Sequence, residues 1–204
     1  MGASDSGQKK SYIFALLTLP LLIISNITGS FAASYVINPT NTNISFGIER
    51  FKRSTTTGGF YDVKGNLQYD PSSQTGDISL VIPISSLNTG NKAFNHTLTG
   101  PNFFDVQRFP LARFDSTKWY FNQNKSLPKI LKVDGDLTLH GETHPISLTA
   151  TKFDCYLHPA FKKDVCNGNF TATVDRTKWN IDKYAWFGVT KNLNLEIQIE
   201  AIKQ

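Results

Sequence analysis

Residues 133–148 read Val-Asp-Gly-Asp-Leu-Thr-Leu-His-Gly-Glu-Thr-His-Pro-Ile-Ser-Leu. Apolar residues take alternate positions before Gly141 and again after it, which is the period of a β-strand with one buried face. Gly141-Glu142 fits a two-residue loop, because glycine readily adopts the positive φ that such a turn requires. The stretch therefore predicts a β-hairpin from a barrel or a sandwich.

The same period of two recurs along most of the chain, in short runs bounded by Gly, Pro, Asn or Asp. Helix is favoured only near residues 91–98 and 101–105, where Gly100-Pro101 separates the two stretches. The pattern predicts an all-β fold, an antiparallel barrel of roughly eight strands, a size whose interior is filled by side chains or holds one slender ligand.

The first 32 residues have the composition of a cleaved secretory signal peptide. Lys9 and Lys10 precede an apolar run from Tyr12 to Ile24, and small residues lead to Ala32. The run is shorter than the ~20 residues that span a bilayer. We expect cleavage after Ala32, one domain over residues 33–204, and a periplasmic or secreted protein; an uncleaved anchor is the alternative.

The charges indicate no nucleic-acid partner. The formal net charge is +5, and Lys and Arg are scattered rather than clustered in a stripe. A mildly basic protein is still attracted weakly to anionic membranes. Transient membrane contact and a homodimer are therefore left open.

Two cysteines, Cys155 and Cys166, lie close together in the sequence. In an exported protein such a pair is expected to form a disulfide, which for a loop of this size contributes roughly 3 kcal/mol of stability. A metal site would need more ligands than the neighbouring His158 provides.

His140, Glu142 and His144 suggest a metal or acid–base site, but Gly141 and Pro145 place them around a turn rather than on one helix face. The chain has no Gly-x-Ser-x-Gly elbow and no phosphate-binding glycine loop. We expect no catalysis, no metal and no cofactor. The alternative is a hydrolase or metal-dependent enzyme that uses the two histidines and the aspartates Asp62, Asp115, Asp134, Asp136 and Asp175.

Four motifs occur in an order and spacing that match a known family. They are Asp134–Leu148; Asn102–Asp105 followed by Phe109-Pro110 and Phe114–Thr117; the loop Cys155–Cys166; and Arg176 with Lys183-Tyr184. In these segments the chain resembles the YceI-like family of secreted bacterial lipid-binding proteins. The resemblance extends from about Ala33 to the C-terminus.

The resemblance implies a lipocalin-like barrel with a short helix near one end and a long apolar tube. It also implies non-enzymatic binding, transport or storage of a long apolar lipid: a polyisoprenoid, an isoprenoid quinone, or a fatty acid or amide. An adhesion or stress protein with a filled barrel is the other alternative. Two departures put the head-group contacts in doubt: Arg50 stands where the family often has His, and Asn95–Leu98 replaces Asp-x-His-Leu.

Strand alternation and the loop aromatics predict the ligand site. The inward wall is expected to comprise Phe46, Ile48, Leu80, Ile82, Phe114 and Leu148, and the mouth Phe94, Leu98, Phe103 and Trp179. Arg50 is predicted either to clamp an anionic head group or to be a surface cation, because an isolated Arg on an apolar face needs an anion to offset its desolvation.

Overall fold

The computed structural model describes residues 1–2, 32–50, 53–124 and 126–204, without the side chains of Arg50 and Ser54. Residues 3–31 of the predicted signal peptide lie outside the described residues. Within the described ranges, no helix combines the length and the apolar composition that crossing a membrane requires.

The described residues form one antiparallel sheet and one α-helix. The strands are β1 Ala33–Ile37, β2 Asn43–Arg50, β3 Ser54–Phe60, β4 Lys64–Asp70, β5 Thr75–Pro83, β6 Leu87–Asn88, β7 Leu111–Phe121, β8 Ile130–Leu139, β9 Glu142–Leu157, β10 Asp164–Asp175 and β11 Asn192–Lys203. Helix α1 is Lys92–Thr99, and the 3₁₀ turns are Ile84–Ser86 and Arg176–Trp179.

The sheet closes on itself as an eight-stranded barrel. The ring runs β1-β4-β5-β7-β8-β9-β10-β11 and returns to β1, with every pairing antiparallel. Strands β2, β3 and β6 continue the ring at one end, where β2 pairs with β11. The predicted lipocalin-like barrel of about eight strands with a short helix at one end is therefore confirmed.

A break between β1 and β2 forms the seam of the barrel. The Glu200 carboxylate accepts hydrogen bonds from the side-chain amides of Asn38 at 2.7 Å and Asn41 at 2.9 Å. The hydroxyl of Thr42 accepts one from the Glu200 amide at 3.1 Å. These hydrogen bonds satisfy the buried polar groups between the two strands. As a result β1 and β2 pair, one after the other, with the same edge of β11.

The predicted hairpin is present, but its loop begins one residue earlier than predicted. Leu139 pairs with Glu142, and the loop residues His140 and Gly141 both have positive φ, 50° and 83°. Positive φ at both central residues is the geometry of a type I′ turn. The Nδ1 atom of His140 lies 3.0 Å from the Trp179 carbonyl, a contact distant in sequence that stabilises the unusual backbone of the histidine.

Helix α1 begins and ends one residue later than the predicted stretch 91–98. Asn91 caps it by accepting a hydrogen bond from the Phe94 amide at 3.1 Å. Residues 101–104 form turns instead of a second helix. Cys155 and Cys166 are register partners on β9 and β10 at the opposite end of the barrel from α1. They form the predicted disulfide, with Cα atoms 4.0 Å apart.

Candidate functional site

An apolar cavity occupies the middle of the barrel. It has a volume of about 90 Å³. Every residue that lines it is apolar. Among them are the predicted wall residues Phe46, Leu80, Ile82, Phe114 and Leu148, together with Ile44, Phe60, Phe104, Leu137, Leu139, Leu193, Leu195 and Ile197.

A smaller apolar cavity of about 10 Å³ lies toward the disulfide end. It shares Leu80, Phe114 and Leu148 with the central cavity, so these three side chains form a partition across the lumen. Aromatic rings pack around this end, where the ring centroids of Tyr69 and Phe153 lie 5.0 Å apart. The lumen is thus narrow and aromatic at the disulfide end and wider toward α1.

A bulge in β7 brings Trp119 to the inner face. The register with β8 shifts between Ser116 and Lys118, which inserts one residue. Strict alternation would put Phe114 and Trp119 on opposite faces, whereas both line the smaller cavity. The extra residue therefore keeps both rings inside the barrel.

A third apolar pocket, which we call the mouth pocket, lies beneath α1. It has a volume of about 290 Å³. Its lining includes the predicted mouth residues Phe94, Leu98 and Phe103, the predicted wall residue Ile48, and Tyr184, Phe187 and Val189. Phe46 and Ile48 are successive inward residues of β2, so the mouth pocket directly follows the central cavity along the barrel.

Trp179 was predicted at the mouth but lies elsewhere. It is buried beside Val174 and Ile181, in a cluster against which Phe103 packs, and it lines neither the central cavity nor the mouth pocket. Its indole N–H donates to the Leu137 carbonyl at 3.0 Å. A buried indole needs such an acceptor, which explains why the ring packs against the β8–β9 hairpin.

Arg50 is the last residue of β2 and pairs through its backbone with Ser54. Its side chain lies outside the described residues. The two alternatives for it, a head-group clamp and a surface cation, stay predictions.

The histidines of the hairpin have structural contacts. The ring of His140 packs 4.5 Å from that of Phe109, and the ring of His144 packs 5.2 Å from that of Trp179. Within the described part of the chain, no three His, Cys, Asp or Glu residues are close enough to hold a metal ion. The two histidines therefore flank Trp179.

Asp134 organises the outer face of the sheet. It accepts hydrogen bonds from Ser147 at 2.6 Å, Lys132 at 3.0 Å and Tyr120 at 2.8 Å. The Ser147 hydroxyl, the Lys132 ammonium and the Tyr120 hydroxyl together lower the pKa of Asp134 to about 2. The carboxylate stays ionised at neutral pH, and its contacts join β7, β8 and β9.

Arg176 orders the loop between β10 and β11, a role that the sequence alone did not reveal. Its guanidinium donates to the carbonyl groups of Ile181 at 2.5 Å, Lys183 at 3.1 Å and Thr190 at 2.9 Å. Burial lowers the pKa of Arg176. The loop that it holds contributes Tyr184 and Phe187 to the mouth pocket. The motif of Arg176 with Lys183-Tyr184 was the feature of the sequence from which this loop could have been predicted.

A family model described as a YceI-like domain matches residues 35–201. The chain belongs to the YceI-like family. This membership confirms the resemblance found in the sequence. The matched YceI-like region begins in β1 and ends in β11, and so includes the whole ring of the barrel.

Relatives of this YceI-like chain occur in several bacteria. A UPF0312 protein of Pseudomonas putida is 27% identical over 197 residues, which cover 94% of this chain and 97% of that protein. A UPF0312 protein of Photorhabdus laumondii is 29% identical over 131 residues, which cover 63% of this chain and 66% of that protein.

Solved structures share the YceI-like barrel. BcnA of Burkholderia cenocepacia has a TM-score of 0.64 at 19% identity and covers 80% of this chain and 98% of its own. A polyisoprenoid binding domain from Saccharophagus degradans, implicated in plant cell wall breakdown, has a TM-score of 0.62 at 12% identity and covers 84% of this chain and 99% of its own. At these identities the likeness shows the fold.

Proposed function

We propose that this chain binds a long apolar lipid in the lumen of its barrel and carries or stores it without chemical turnover. The observation that carries the proposal is the apolar central cavity, continued along β2 by the mouth pocket beneath α1. A wall without polar groups favours an uncharged chain, because a buried charge would find no partner there. Each buried methylene of an apolar chain contributes roughly 0.8 kcal/mol to binding. The ligand classes are a polyisoprenoid, an isoprenoid quinone, or a fatty acid or amide.

Binding a long chain requires the lumen to widen. A dry cavity of roughly 150 Å³ accommodates a single benzene ring, whereas the central cavity measures about 90 Å³ in this conformation. The partition of Leu80, Phe114 and Leu148 is the place where side-chain rotation joins the central cavity to the smaller one. We propose that these three side chains move aside when the chain enters.

The named ligand of a structural neighbour supports the choice of lipid. The Saccharophagus degradans domain, which has the same fold, is a polyisoprenoid binding domain. The disulfide between Cys155 and Cys166 is typical of an oxidising compartment. With the predicted signal peptide, it supports a periplasmic or secreted location for the carrier.

The partners that belong to this proposal are the lipid itself and, transiently, a membrane. The homodimer stays a prediction, and sedimentation at increasing protein concentration tests it. Neither histidine of the hairpin nor Asp134 lines the central cavity or the mouth pocket.

The test is to express the full-length chain, purify it, and analyse it by native mass spectrometry and organic extraction. We expect a mass shift that disappears on extraction, and a long-chain lipid in the organic phase. Protein without lipid is then titrated with a fluorescent polyisoprenoid and a fluorescent fatty acid. Absence of both a co-purified lipid and saturable binding would contradict the proposal and favour a filled barrel.

A further inference from the structure

Three large aromatic side chains are exposed within one short stretch at the α1 end of the barrel. Trp186 is 80% exposed, Phe187 73% and Tyr184 52%. Single exposed apolar residues are ordinary on protein surfaces, but contiguous apolar patches mark interaction sites. We call residues 183–191 the aromatic tip.

The aromatic tip is held in place by hydrogen bonds. The amides of Phe187 and Val189 donate to the Tyr184 carbonyl at 3.0 and 3.3 Å, and the Thr190 amide donates to the Glu49 carbonyl at 3.0 Å. Arg176 fixes the carbonyl groups of Lys183 and Thr190 from below. The fold therefore presents Trp186 and Phe187 to solvent on a structured loop.

Positive charge accompanies the exposed rings. The Lys191 ammonium lies 3.8 Å from the centroid of the Trp186 ring, and the Lys183 ammonium lies 5.4 Å from that of Tyr184. Lys178 is also exposed nearby in sequence, and Asp182 is the one acidic residue of the stretch 176–191. Aromatic rings beside ammonium groups match the boundary of an anionic bilayer, where rings lie among the head groups and lysines contact phosphates.

The aromatic tip is continuous with the mouth pocket. Tyr184, Phe187 and Val189 belong to both, and the Tyr184 ring lies 6.3 Å from that of Phe103 inside the pocket. If the tip entered the head-group region, the mouth pocket would face the acyl chains. A lipid would then pass between bilayer and barrel without exposure to water.

We propose that the aromatic tip docks this protein on an anionic lipid bilayer, with Trp186 and Phe187 at the boundary between head groups and acyl chains. Lys183 and Lys191 bind the lipid phosphates. The purpose of docking rests on the proposed lipid-carrier function, whereas docking itself requires only the tip.

The test measures co-sedimentation of the purified protein with vesicles of phosphatidylcholine mixed with phosphatidylglycerol, and with vesicles of phosphatidylcholine alone. The unaltered protein should bind the anionic vesicles more tightly. The double variant Trp186→Ser, Phe187→Ser should lose roughly tenfold or more in affinity for both, as expected when apolar side chains no longer enter the bilayer. Lys183→Gln with Lys191→Gln should remove only the preference for anionic lipid.

The matched control is Leu127→Ser, which removes a 74% exposed apolar side chain between β7 and β8, at the opposite end of the barrel. It should bind vesicles like the unaltered protein. Equal vesicle binding by the unaltered protein and the double variant, with circular dichroism showing both folded, would overturn the proposal. Self-association that depends on Trp186 and Phe187, without vesicle binding, would overturn it in favour of a second copy.

Lipid content measured on the same samples separates the two proposals. Vesicle binding by a protein without lipid in its lumen would support the docking proposal and contradict the carrier function. Lipid in the lumen of a protein that does not bind vesicles would support the carrier function and contradict the docking proposal.

Discussion

The ring of Phe114 lies against Gly135 on the neighbouring strand. A Cβ placed on Gly135 would be 2.4 Å from Cζ of Phe114, closer than any real contact allows. The missing side chain leaves room for the Phe114 ring beside the backbone of β8. Phe114 is one of the three side chains that form the partition, so this glycine affects how much of the lumen is open.

Gly135→Ala should therefore displace the Phe114 ring toward the lumen, and the new Cβ would also lie 2.6 Å from the Asp115 carbonyl oxygen, so the backbone of β7 must shift as well. We expect a loss of about 1–3 kcal/mol in the free energy of unfolding, from overpacking, and a lower lipid occupancy. Denaturant unfolding and native mass spectrometry measure the two effects. Gly47→Ala is the control, because its Cβ would meet only a Thr55 methyl at 3.4 Å. Equal effects of the two variants would mean that contact with Phe114 is not the cause.

Ile82→Trp should fill the central cavity, which Ile82 lines. The indole should reduce lipid occupancy and cost about 1–3 kcal/mol of stability. Val81→Trp, on the outer face of the same strand, should leave occupancy unchanged. Unchanged binding of the fluorescent polyisoprenoid by a folded Ile82→Trp variant would mean that the ligand does not occupy this cavity.

Asp134 should make the protein sensitive to acid. Its pKa is about 2 in the folded chain, against an ordinary value of 3.8. The ionised form is thus favoured by folding, and its contribution is present above about pH 4 and lost as the pH falls toward 2. Asp134→Asn should lower stability by about 1 kcal/mol at pH 7, a figure reduced for partial solvent exposure, and by little near pH 2.

Unfolding followed by circular dichroism from pH 7 to the acid range checks this expectation. Asp62→Asn is a suitable control, because Asp62 forms an exposed ion pair with Lys64. Such pairs contribute about 0–1 kcal/mol. A stability difference between Asp134→Asn and the unaltered protein that persists undiminished near pH 2 would argue against the ionised contacts.

Joint replacement of Cys155 and Cys166 by alanine should lower the free energy of unfolding by roughly 3 kcal/mol. The disulfide joins β9 and β10 at the end remote from α1, so the mouth pocket should keep its shape. Thermal unfolding with and without reductant measures the loss. If reductant lowered the unfolding temperature of the double alanine variant as much as that of the unaltered protein, the loss would not come from this disulfide.

Arg50→Ala tests whether a cation at the end of β2 clamps an anionic head group. If it does, binding of a phosphorylated isoprenoid should weaken by roughly 1.5–3 kcal/mol, while a neutral chain binds almost unchanged. Fluorescence titration with the two ligands measures the difference. Equal losses would mean that Arg50 only shapes the barrel, and no loss would make it a surface cation.

Local pattern was enough to predict the barrel and part of its lining. Alternation placed Phe46, Leu80 and Ile82 on the inner face, because side chains of a regular strand point to opposite faces in turn. The helix cap at Asn91 was equally local. These features depend on neighbours within a few residues.

The errors arose where contacts between distant segments decide the structure. The turn at His140 depends on Trp179, and the position of Trp179 depends on the Leu137 carbonyl. The function of Arg176 depends on three carbonyl groups up to 14 residues away in sequence. No spacing rule reports such contacts, so the aromatic tip became visible only in three dimensions.

The seam between β1, β2 and β11 makes the barrel depend on both ends of its sequence. Tyr35 pairs with Lys203 where β1 and β11 close the ring, and Phe46 pairs with Leu195 where β2 continues it, so both pairings join the first strands to the last. Pairings this distant in sequence form late and slow the folding of β proteins. Until β11 docks, the edges of β1, β2 and β10 remain unpaired and able to join another chain. Loss of β11, Asn192–Lys203, would therefore leave an open sheet prone to aggregation.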